Sequence, residues 1–305
     1  MNTTSLIFIL GPTAVGKSEI GLCLAQRLNA EIICCDAMQV YGEISIANDK
    51  PAPKARAEVP HHLVGIVPVT EDFNVARYRE LAVSVIGDIQ ARGKTPLIIG
   101  GSGMYMSVLL DGIFEGIAAG EDLREEISQQ LDREGCAVLH EPLKALDPQA
   151  AAKIHPNDPQ RIIRALEVAL STGQSISSLQ QKREGLWGSV PIKIFALNRP
   201  RQELYQRVEA RVEDMFVKGL VEEIKSVSTL PLSLTARKII GVPEIMGYFK
   251  GEHDLERAKY LMKLNTRHYV KRQLTWFRRD KRLTWIDIKQ ADTNESIAER
   301  IVSLL

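Results

Sequence analysis

Short apolar runs that stop at a glycine or a polar residue predict the strands of a buried parallel sheet. Four such runs are Ser5 to Leu10, Ile32 to Cys35, Pro96 to Ile99 and Ile192 to Leu197. Strands covered on both faces are apolar throughout, whereas half-exposed strands alternate. After Lys17, apolar residues recur at helical spacing, so the chain opens as strand, loop and helix.

The segment between the third and fourth runs, residues 116–189, has a helical pattern throughout. One of its helices has a clear predicted start, with Asp158 as the N-cap and Pro159 in the first helical position. Because this segment separates two strands of the sheet, we expect it to be an inserted all-helical domain. Residues 1–115 and 190–305 are then expected to form the main domain.

Helices also dominate the last third of the chain. A helix is expected from Arg201 to about Val227, and the pattern stays helical from Leu220 onward. The exception is an apolar closing segment from Leu283 to Ile288. Strands that alternate with helices predict an α/β fold, in which helices flank a parallel sheet.

Length and composition are those of a globular protein. The 305 residues exceed what one core usually holds, roughly 250–300 residues, so a main domain with an insertion is reasonable. No stretch approaches the ~18 apolar residues that a membrane span needs. The first run lacks a basic leader and a cleavage site, so we expect a cytoplasmic protein that does not associate with membranes.

Charge and cysteines are informative only where they cluster. The net charge is +1, which does not indicate a nucleic-acid binder, yet nine basic residues and a single acid lie between Lys259 and Arg282. Cys34 and Cys35 are adjacent in an apolar run, and the four cysteines have no metal-ligand spacing. This usage predicts buried thiols in a reducing compartment.

A glycine-rich loop carries the most specific local motif. Its spacing, G-x-x-x-x-G-K-S, follows a predicted strand and precedes a predicted helix, as this motif requires. Backbone N–H groups of such a loop bind anions at a positive helix end, and the serine can hold Mg²⁺ on phosphate oxygens. We therefore expect a P-loop NTPase-like sheet, a polyphosphate ligand and Mg²⁺ at Ser18. Kinases, nucleoside triphosphatases and diphosphate-releasing transferases all stay open. The loop comprises Gly11, Pro12, Thr13, Ala14, Val15, Gly16, Lys17 and Ser18.

Two polar residues follow the second and third predicted strands. Asp36 ends the second run, and Ser102 lies in a Gly-Gly-Ser-Gly turn after the third. Ligands of open α/β sheets bind outside the carboxyl ends of the strands, where the glycine-rich loop also lies. We therefore expect Asp36, Ser102 and Lys17 to face one pocket. The alternatives are a carboxylate that caps a turn near Met38 and an ordinary turn serine.

Several further blocks extend the pattern over nearly the whole chain. With these blocks the sequence resembles the bacterial tRNA dimethylallyltransferase family. Besides the loop, they are Asp36-Ala37-Met38-Gln39-Val40-Tyr41, Pro60-His61-His62-Leu63, Gly100-Gly101-Ser102-Gly103-Met104-Tyr105, Asn157-Asp158-Pro159-Gln160-Arg161-Ile162-Ile163-Arg164-Ala165-Leu166-Glu167 and Lys271-Arg272-Gln273-Leu274-Thr275-Trp276-Phe277.

The resemblance implies a donor, an acceptor and three catalytic roles. The donor is dimethylallyl diphosphate, and the acceptor is the exocyclic amine of the adenosine immediately 3′ of the anticodon of tRNA. By resemblance, Asp36 accepts the proton of the amine, Ser102 hydrogen-bonds the bridging oxygen of the leaving diphosphate, and Arg211 grips the diphosphate. Ser102 stands where the family usually has threonine, and it keeps the hydroxyl. Ala37 replaces a usual serine, and Val242-Pro243 departs from the family pattern.

A base in the anticodon stem-loop must leave its stack before it reaches such a pocket, so base flipping is expected. A basic sector on the C-terminal helix, from Lys259 to Arg282, is a candidate track for the tRNA backbone. Arg272 lies on the apolar side of that helix, so it is expected either to pair internally or to face the active-site channel. Charged helix faces are also often merely solvated. We expect the chain to act as a monomer. The predicted tRNA contacts are Asp36, Ala37, Met38, Gln39, Ser102, Arg124, Gln160, Arg161, Ile162, Ile163, Arg164, Lys271, Arg272, Gln273 and Arg278.

Three other functions share parts of this pattern. A nucleoside or shikimate-type kinase shares the opening strand, loop and helix, but we find no arginine-rich lid motif. An isopentenyltransferase of free adenine nucleotides needs Asp36 and Ser102 but not the basic C-terminal helix. An RNA-binding switch protein driven by nucleotide has no use for Asp36 and Ser102 aimed at the loop.

Overall fold

The computed structural model describes residues 5–114 and 121–305. The chain divides into two compact units. The first unit combines Met1–Leu109 with Trp187–Leu305, and the second is Leu110–Leu186. The predicted domain boundary between residues 115 and 116 lies outside the described residues.

A parallel sheet forms the centre of the first unit. In the described part of the chain its order is β3-β2-β4-β1-β5-β6, and every pair is parallel. This confirms the predicted α/β fold with a parallel sheet. The strands are β1 (Leu6–Leu10), β2 (Ala30–Cys35), β3 (His61–His62), β4 (Thr95–Gly100), β5 (Ile192–Asn198) and β6 (Thr284–Asp287).

Helices flank this sheet in the first unit and make up the second unit. A short 3₁₀ turn also lies at Ala236–Lys238. The helices are α1 (Lys17–Arg27), α2 (Pro53–Glu58), α3 (Val75–Ala91), α4 (Gly103–Leu110), α5 (Glu121–Glu134), α6 (Cys136–Leu146), α7 (Pro148–Lys153), α8 (Pro159–Thr172), α9 (Ile176–Gln181), α10 (Arg201–Val217), α11 (Leu220–Val227), α12 (Val242–Phe249), α13 (Leu255–Phe277) and α14 (Asn294–Val302).

The core of the first unit explains the continuous apolar runs. All five residues of β1 and all six of β2 are buried, as expected of strands covered on both faces. Against one side of the sheet pack Leu24 of α1, Val208 of α10, Val270 of α13 and Ile297 of α14. Burial of such side chains stabilises the fold by about 1.5–3 kcal/mol each.

Two expectations about the first unit need correction and one is confirmed. The helix expected from Arg201 to Val227 is two helices, because Gly219 adopts a left-handed backbone conformation (φ 93°) that ends α10 and caps α11. The strand β3 was not predicted, since its two residues give no periodic signal. The closing segment contains β6, which pairs with β5.

The second unit has a hydrophobic core of its own. Ile127 of α5, Leu143 of α6 and Ile162 of α8 are buried in it. Helix α8 starts as predicted, since the Asp158 side chain accepts a hydrogen bond from the backbone N–H of Arg161. Leu170, near the end of the same helix, is exposed.

Within residues 5–114 and 121–305, no helix combines the length and the apolar character that crossing a bilayer requires.

Candidate active site at the carboxyl edge of the sheet

The register of the sheet brings three strand ends to one edge. Gly100, the last residue of β4, lies opposite Leu10 of β1 and Cys35 of β2. The residues that follow these strands, among them Asp36, are therefore neighbours. Lys17, Ser18 and Asp36 line one cavity of about 640 Å³, which we call the loop cavity.

The glycine-rich loop wraps from β1 into the start of α1. The Lys17 ammonium donates to the carbonyl oxygen of Pro12 at 2.8 Å. Two arginines from the sequence around α10 bind other loop carbonyls. The Arg207 Nε donates to Ala14 O at 2.7 Å, and the Arg199 Nε donates to Val15 O at 2.9 Å. These contacts fix the loop at the positive end of α1, where anions bind.

Arg211 of α10 also lines the loop cavity. Its Nη1 donates to the hydroxyl of Thr13 at 2.7 Å and lies 3.2 Å from the Asp49 carboxylate. Burial lowers the pKa of Lys17 to about 8, and the nearby charge of Arg211 adds to that effect, whereas Asp36 opposes it. Two cations and the loop amides thus surround a space suited to a polyanion.

Asp36 lies where two cavities meet. It lines the loop cavity and also a second cavity of about 790 Å³, whose walls include Met38, Arg211 and Tyr269. One carboxylate oxygen, Oδ1, accepts a hydrogen bond of 2.9 Å from the backbone N–H of Met38. The turn-capping role that the sequence allowed is therefore present, and the same carboxylate faces both cavities.

Ser102 lies in the turn that links β4 to α4. Its backbone N–H donates to Cys35 O at 3.0 Å, next to Asp36, and its hydroxyl accepts from the backbone N–H of Tyr105 at 3.4 Å. Glycine is required at position 100, at the start of this turn, because a Cβ there would lie 2.0 Å from Cys35 O. Among the described residues, those that line the loop cavity include Gly100 but not Ser102.

The residues after Asp36 shape the floor of the site. Ala37 is half-buried, and Met38 lines the second cavity. The Gln39 amide donates to the backbone oxygens of Asn48 and Asp49, at 3.2 and 3.1 Å. Gln39, which was predicted as a tRNA contact, thus has hydrogen bonds to the neighbouring loop.

Gln273 has a position that the sequence did not reveal. Its Oε1 accepts from the backbone N–H of Thr13 at 2.8 Å, and its Nε2 donates to Gly101 O at 2.9 Å. The side chain is buried, and both ends of its amide have backbone partners. Gln273 was predicted as a tRNA contact; in the structure it lines the loop cavity and joins the glycine-rich loop to the turn of Ser102.

Substitution of Gln273 by leucine is expected to lower the free energy of unfolding by about 1–3 kcal/mol. The reason is that Thr13 N–H and Gly101 C=O would lose their partners in a largely buried place. Urea unfolding followed by circular dichroism measures the change. Gln202→Leu on the exposed face of α10 is the matched control, expected within about 0.5 kcal/mol of the unsubstituted protein. Equal stabilities of the two variants would contradict this role for Gln273.

The basic sector of α13 is only partly available to a nucleic acid. Lys259 and Lys263 pair with Glu213 of α10, and Arg267 lies 2.8 Å from Glu209 of the same helix. The first half of the candidate track for the tRNA backbone is thus a ladder of ion pairs between α10 and α13.

The end of α13 presents its cations differently. Lys271, Arg272 and Arg278 are exposed, and Arg272 lines the second cavity with its guanidinium over the Tyr269 ring. Of the two predicted places for Arg272, an internal pair or the active-site channel, the second is the one observed.

Within the second unit, the predicted tRNA contacts differ in exposure. Gln160 and Arg161 are exposed at the start of α8. Arg164 and Arg124 both approach the buried carboxylate of Glu167, at 3.3 and 3.6 Å. Two further residues, Ile162 and Ile163, belong to the core instead: Ile162 is fully buried there and Ile163 packs against it. The prediction of Ile162 as a side-chain contact is thus corrected, because its side chain has no exposed surface.

Sequence reasoning missed the residues that order the loop between β2 and α2. Glu223 of α11 accepts hydrogen bonds from the backbone N–H groups of Ser45, Ile46 and Ala47 at 2.6 to 2.9 Å. The same loop carries Asp49 to Arg211. No local pattern marks these partners, because Glu223 lies more than 170 positions away in sequence.

The arrangement defines a class of protein. A parallel sheet with a phosphate-binding loop, two cations and a carboxylate at its carboxyl edge is typical of an enzyme that acts on a phosphorylated substrate.

Comparison with known proteins narrows the class. Sequence profiles match residues 39–280 as IPP transferase and residues 4–60 as isopentenyl transferase. The tRNA dimethylallyltransferase of Natranaerobius thermophilus is 39% identical over 310 residues, which cover 100% of this chain and 92% of that protein.

Solved structures agree with the sequence comparison. The tRNA isopentenylpyrophosphate transferase of Bacillus halodurans is 37% identical, with a TM-score of 0.73 and coverage of 98% of this chain and 95% of its own. A eukaryotic dimethylallyltransferase, solved acting on tRNA, is 29% identical with a TM-score of 0.82, covering 98% of this chain and 78% of its own. The chain belongs to the IPP transferase family, which confirms the resemblance found in its sequence, and it is a transferase.

Proposed function

We propose that the chain transfers a dimethylallyl group from dimethylallyl diphosphate to the exocyclic amine of the adenosine immediately 3′ of the anticodon of tRNA, and releases diphosphate. The names of its relatives support transfer of a dimethylallyl group to tRNA. The observation that carries the proposal is the position of Asp36, whose carboxylate lines both the loop cavity with Lys17 and the adjoining cavity.

The chemistry requires a strong electrophile. The exocyclic nitrogen of adenine is a poor nucleophile, since its lone pair is delocalised into the ring. An allylic carbon can carry positive charge, so departure of diphosphate makes it reactive. The amine then sheds a proton, which the Asp36 carboxylate accepts. A positioned base of this kind typically contributes 10²–10⁴-fold to a rate.

The donor side must stabilise the charge that develops on diphosphate. Lys17, Arg211 and the loop amides supply positive groups that are already in place, which is the most effective form of transition-state stabilisation. The Ser102 hydroxyl, in the turn beside Asp36, is assigned to the bridging oxygen of the leaving group. Water must also be excluded from around the dimethylallyl group, because it would otherwise hydrolyse the electrophile.

The walls of the loop cavity also fit Mg²⁺. The Ser18 hydroxyl is a hard oxygen donor of the kind Mg²⁺ prefers, and Ser18 lines this cavity. Among the described residues, no group of three or more acidic, histidine or cysteine side chains could hold a metal alone. Mg²⁺ usually takes most of its ligands from substrate phosphates and water, and bound there it would neutralise the charge of the leaving group.

Binding of inorganic diphosphate is expected to weaken as the pH rises through about 8. Since burial holds the pKa of Lys17 near 8, its ammonium is mostly protonated at pH 7 and mostly neutral at pH 9. The loss of one positive charge lowers the affinity by up to roughly tenfold over that range. Isothermal titration at several pH values with Mg²⁺ measures it. The Lys17→Met variant shows the titration of the ligand alone; an identical pH profile for both proteins would contradict the assignment.

The acceptor is assigned to the second cavity. A flipped base entering there meets Met38, Tyr269 and Arg272 and brings its amine toward Asp36. Exposed Lys271 and Arg278 are available for backbone phosphates. Gln160, Arg161, Arg164 and Arg124 of the second unit are assigned to the anticodon stem-loop, and the chain is proposed to act as a monomer.

The test is transfer of label. Purified protein, radiolabelled dimethylallyl diphosphate, Mg²⁺ and unmodified tRNA are expected to give labelled tRNA. A tRNA with guanosine in place of the target adenosine is the matched control and is expected to stay unlabelled. ATP turnover without labelling would support a kinase instead, and equal labelling of free AMP would support a nucleotide prenyltransferase.

A further inference from the structure

The diphosphate-binding arginine already has an anionic partner. Arg211 Nη1 lies 3.2 Å from Asp49 Oδ2, and the same nitrogen donates to the Thr13 hydroxyl. Asp49 lines the loop cavity together with Lys17 and Ser18. It also lines an outer cavity that reaches Arg207 and Lys17 from the solvent side. The Asp49 carboxylate therefore lies at Arg211, where a bound polyanion would also have to lie.

The backbone of Asp49 is held by hydrogen bonds, whereas its side chain is half-exposed beside Arg211. The residue has a left-handed conformation (φ 48°), its N–H donates to Ile46 O at 3.0 Å, and its carbonyl accepts from the Gln39 amide at 3.1 Å. Glu223 holds the preceding three amides. The side chain itself is 51% exposed. It can turn toward solvent at little cost, because rotation breaks no buried contact of its backbone.

Electrostatics give this pair two opposite effects. While the cavity holds no substrate, the carboxylate keeps Arg211 extended beside Thr13, ready for an anion. When diphosphate is present, the carboxylate competes for the same guanidinium and repels the ligand. The first effect favours fast binding, and the second opposes tight retention of the product.

We propose that Asp49 is a positioning residue that stands in for diphosphate on Arg211. It holds the arginine in place before the donor binds, gives way to the donor, and returns to the arginine as diphosphate leaves. The inference rests on the proposed function, since it concerns the diphosphate that the proposed reaction releases.

The test is the affinity of the full chain for inorganic diphosphate with Mg²⁺, without tRNA, for the protein and its Asp49→Asn variant. Asparagine tolerates the left-handed conformation and keeps the size of the side chain, so only the charge changes. Titration calorimetry is expected to show diphosphate binding tighter by roughly 3- to 10-fold in the variant at low salt. The difference should shrink above about 0.1 M salt, where exposed charges are screened.

Steady-state kinetics distinguish this role from a purely structural one, which would not change kcat and KM in this pattern. In Asp49→Asn, both kcat and the KM for the donor are expected to fall in steady state, because product leaves more slowly. The single-turnover rate of transfer should stay within about twofold, since the reacting groups are untouched.

Asp214→Asn is the matched control. Asp214 lines the same outer cavity but pairs with Lys218 at 2.6 Å, so its loss removes an equal charge without freeing Arg211. A smaller gain in affinity than that of Asp49→Asn supports the inference. Equal gains in both variants overturn it, because the effect is then only general charge.

Two other results for Asp49→Asn overturn the inference alone. Unchanged affinity means that the carboxylate does not compete, and weaker affinity means that it binds diphosphate through Mg²⁺. Failure of the unsubstituted protein to bind diphosphate, together with unlabelled tRNA in the transfer assay, overturns the proposed function as well.

Discussion

Replacement of Asp36 by asparagine is expected to lower the single-turnover rate of prenyl transfer by about 10²–10⁴-fold while tRNA binding is retained. Asparagine can still accept the hydrogen bond from the Met38 N–H, so the turn after β2 stays intact. It cannot take a proton from the amine of the acceptor. The loss should therefore appear in the chemical step, which rapid-quench assays with labelled donor measure, and not in filter binding of tRNA.

A second carboxylate provides the control for Asp36. Asp287 ends β6 at the same edge of the sheet, and it accepts from the Asn198 amide at 2.8 Å away from the loop cavity. Asp287→Asn is expected to transfer at a rate within about twofold of the unsubstituted protein. An Asp36→Asn variant with the same rate would remove Asp36 from the mechanism.

Replacement of Arg211 by glutamine is the second large effect that we expect, a loss of about 10²–10³-fold in kcat/KM for the donor. The guanidinium is held beside Thr13 on the loop and faces both cavities, so its charge acts on diphosphate as the bond to carbon breaks. Loss of one such group in a site shielded from water typically costs this much. Steady-state kinetics with varied donor at saturating tRNA measure it.

The matched control for Arg211 lies on the same helix. Arg201 of α10 is exposed and donates to the Tyr205 hydroxyl at 2.8 Å. Arg201→Gln therefore changes the net charge equally, and kcat/KM is expected to stay within about twofold. If both variants lost activity alike, the effect of Arg211 would be one of overall charge and not of contact with diphosphate.

Much of the sheet and of the donor side could be predicted because the signals are local. Each buried parallel strand is a continuous apolar run, and the glycine-rich loop is recognised from eight consecutive residues in the right context. Asp36 followed from one rule, that ligands bind at the carboxyl ends of parallel strands. The two-residue strand β3 was missed because two residues carry no periodicity.

The missing part of the site depends on pairs that are far apart in sequence. A helical projection placed Lys259, Lys263 and Arg267 on one face but could not show that the acids of α10 pack against it. Gln273 is 260 positions from Thr13. No local sequence pattern therefore indicates the hydrogen bond between its side-chain amide and the loop. The role proposed for Asp49 likewise depends on its ion pair with Arg211, which is distant in sequence.

If donor and acceptor meet at Asp36, a crystal structure with an unreactive donor analogue and an anticodon stem-loop RNA will show both beside it. We expect diphosphate on the glycine-rich loop beside Lys17 and Arg211, and the adenine amine within about 3 Å of the Asp36 carboxylate. An adenine bound on another face of the sheet, or a diphosphate bound away from Lys17, would contradict this expectation.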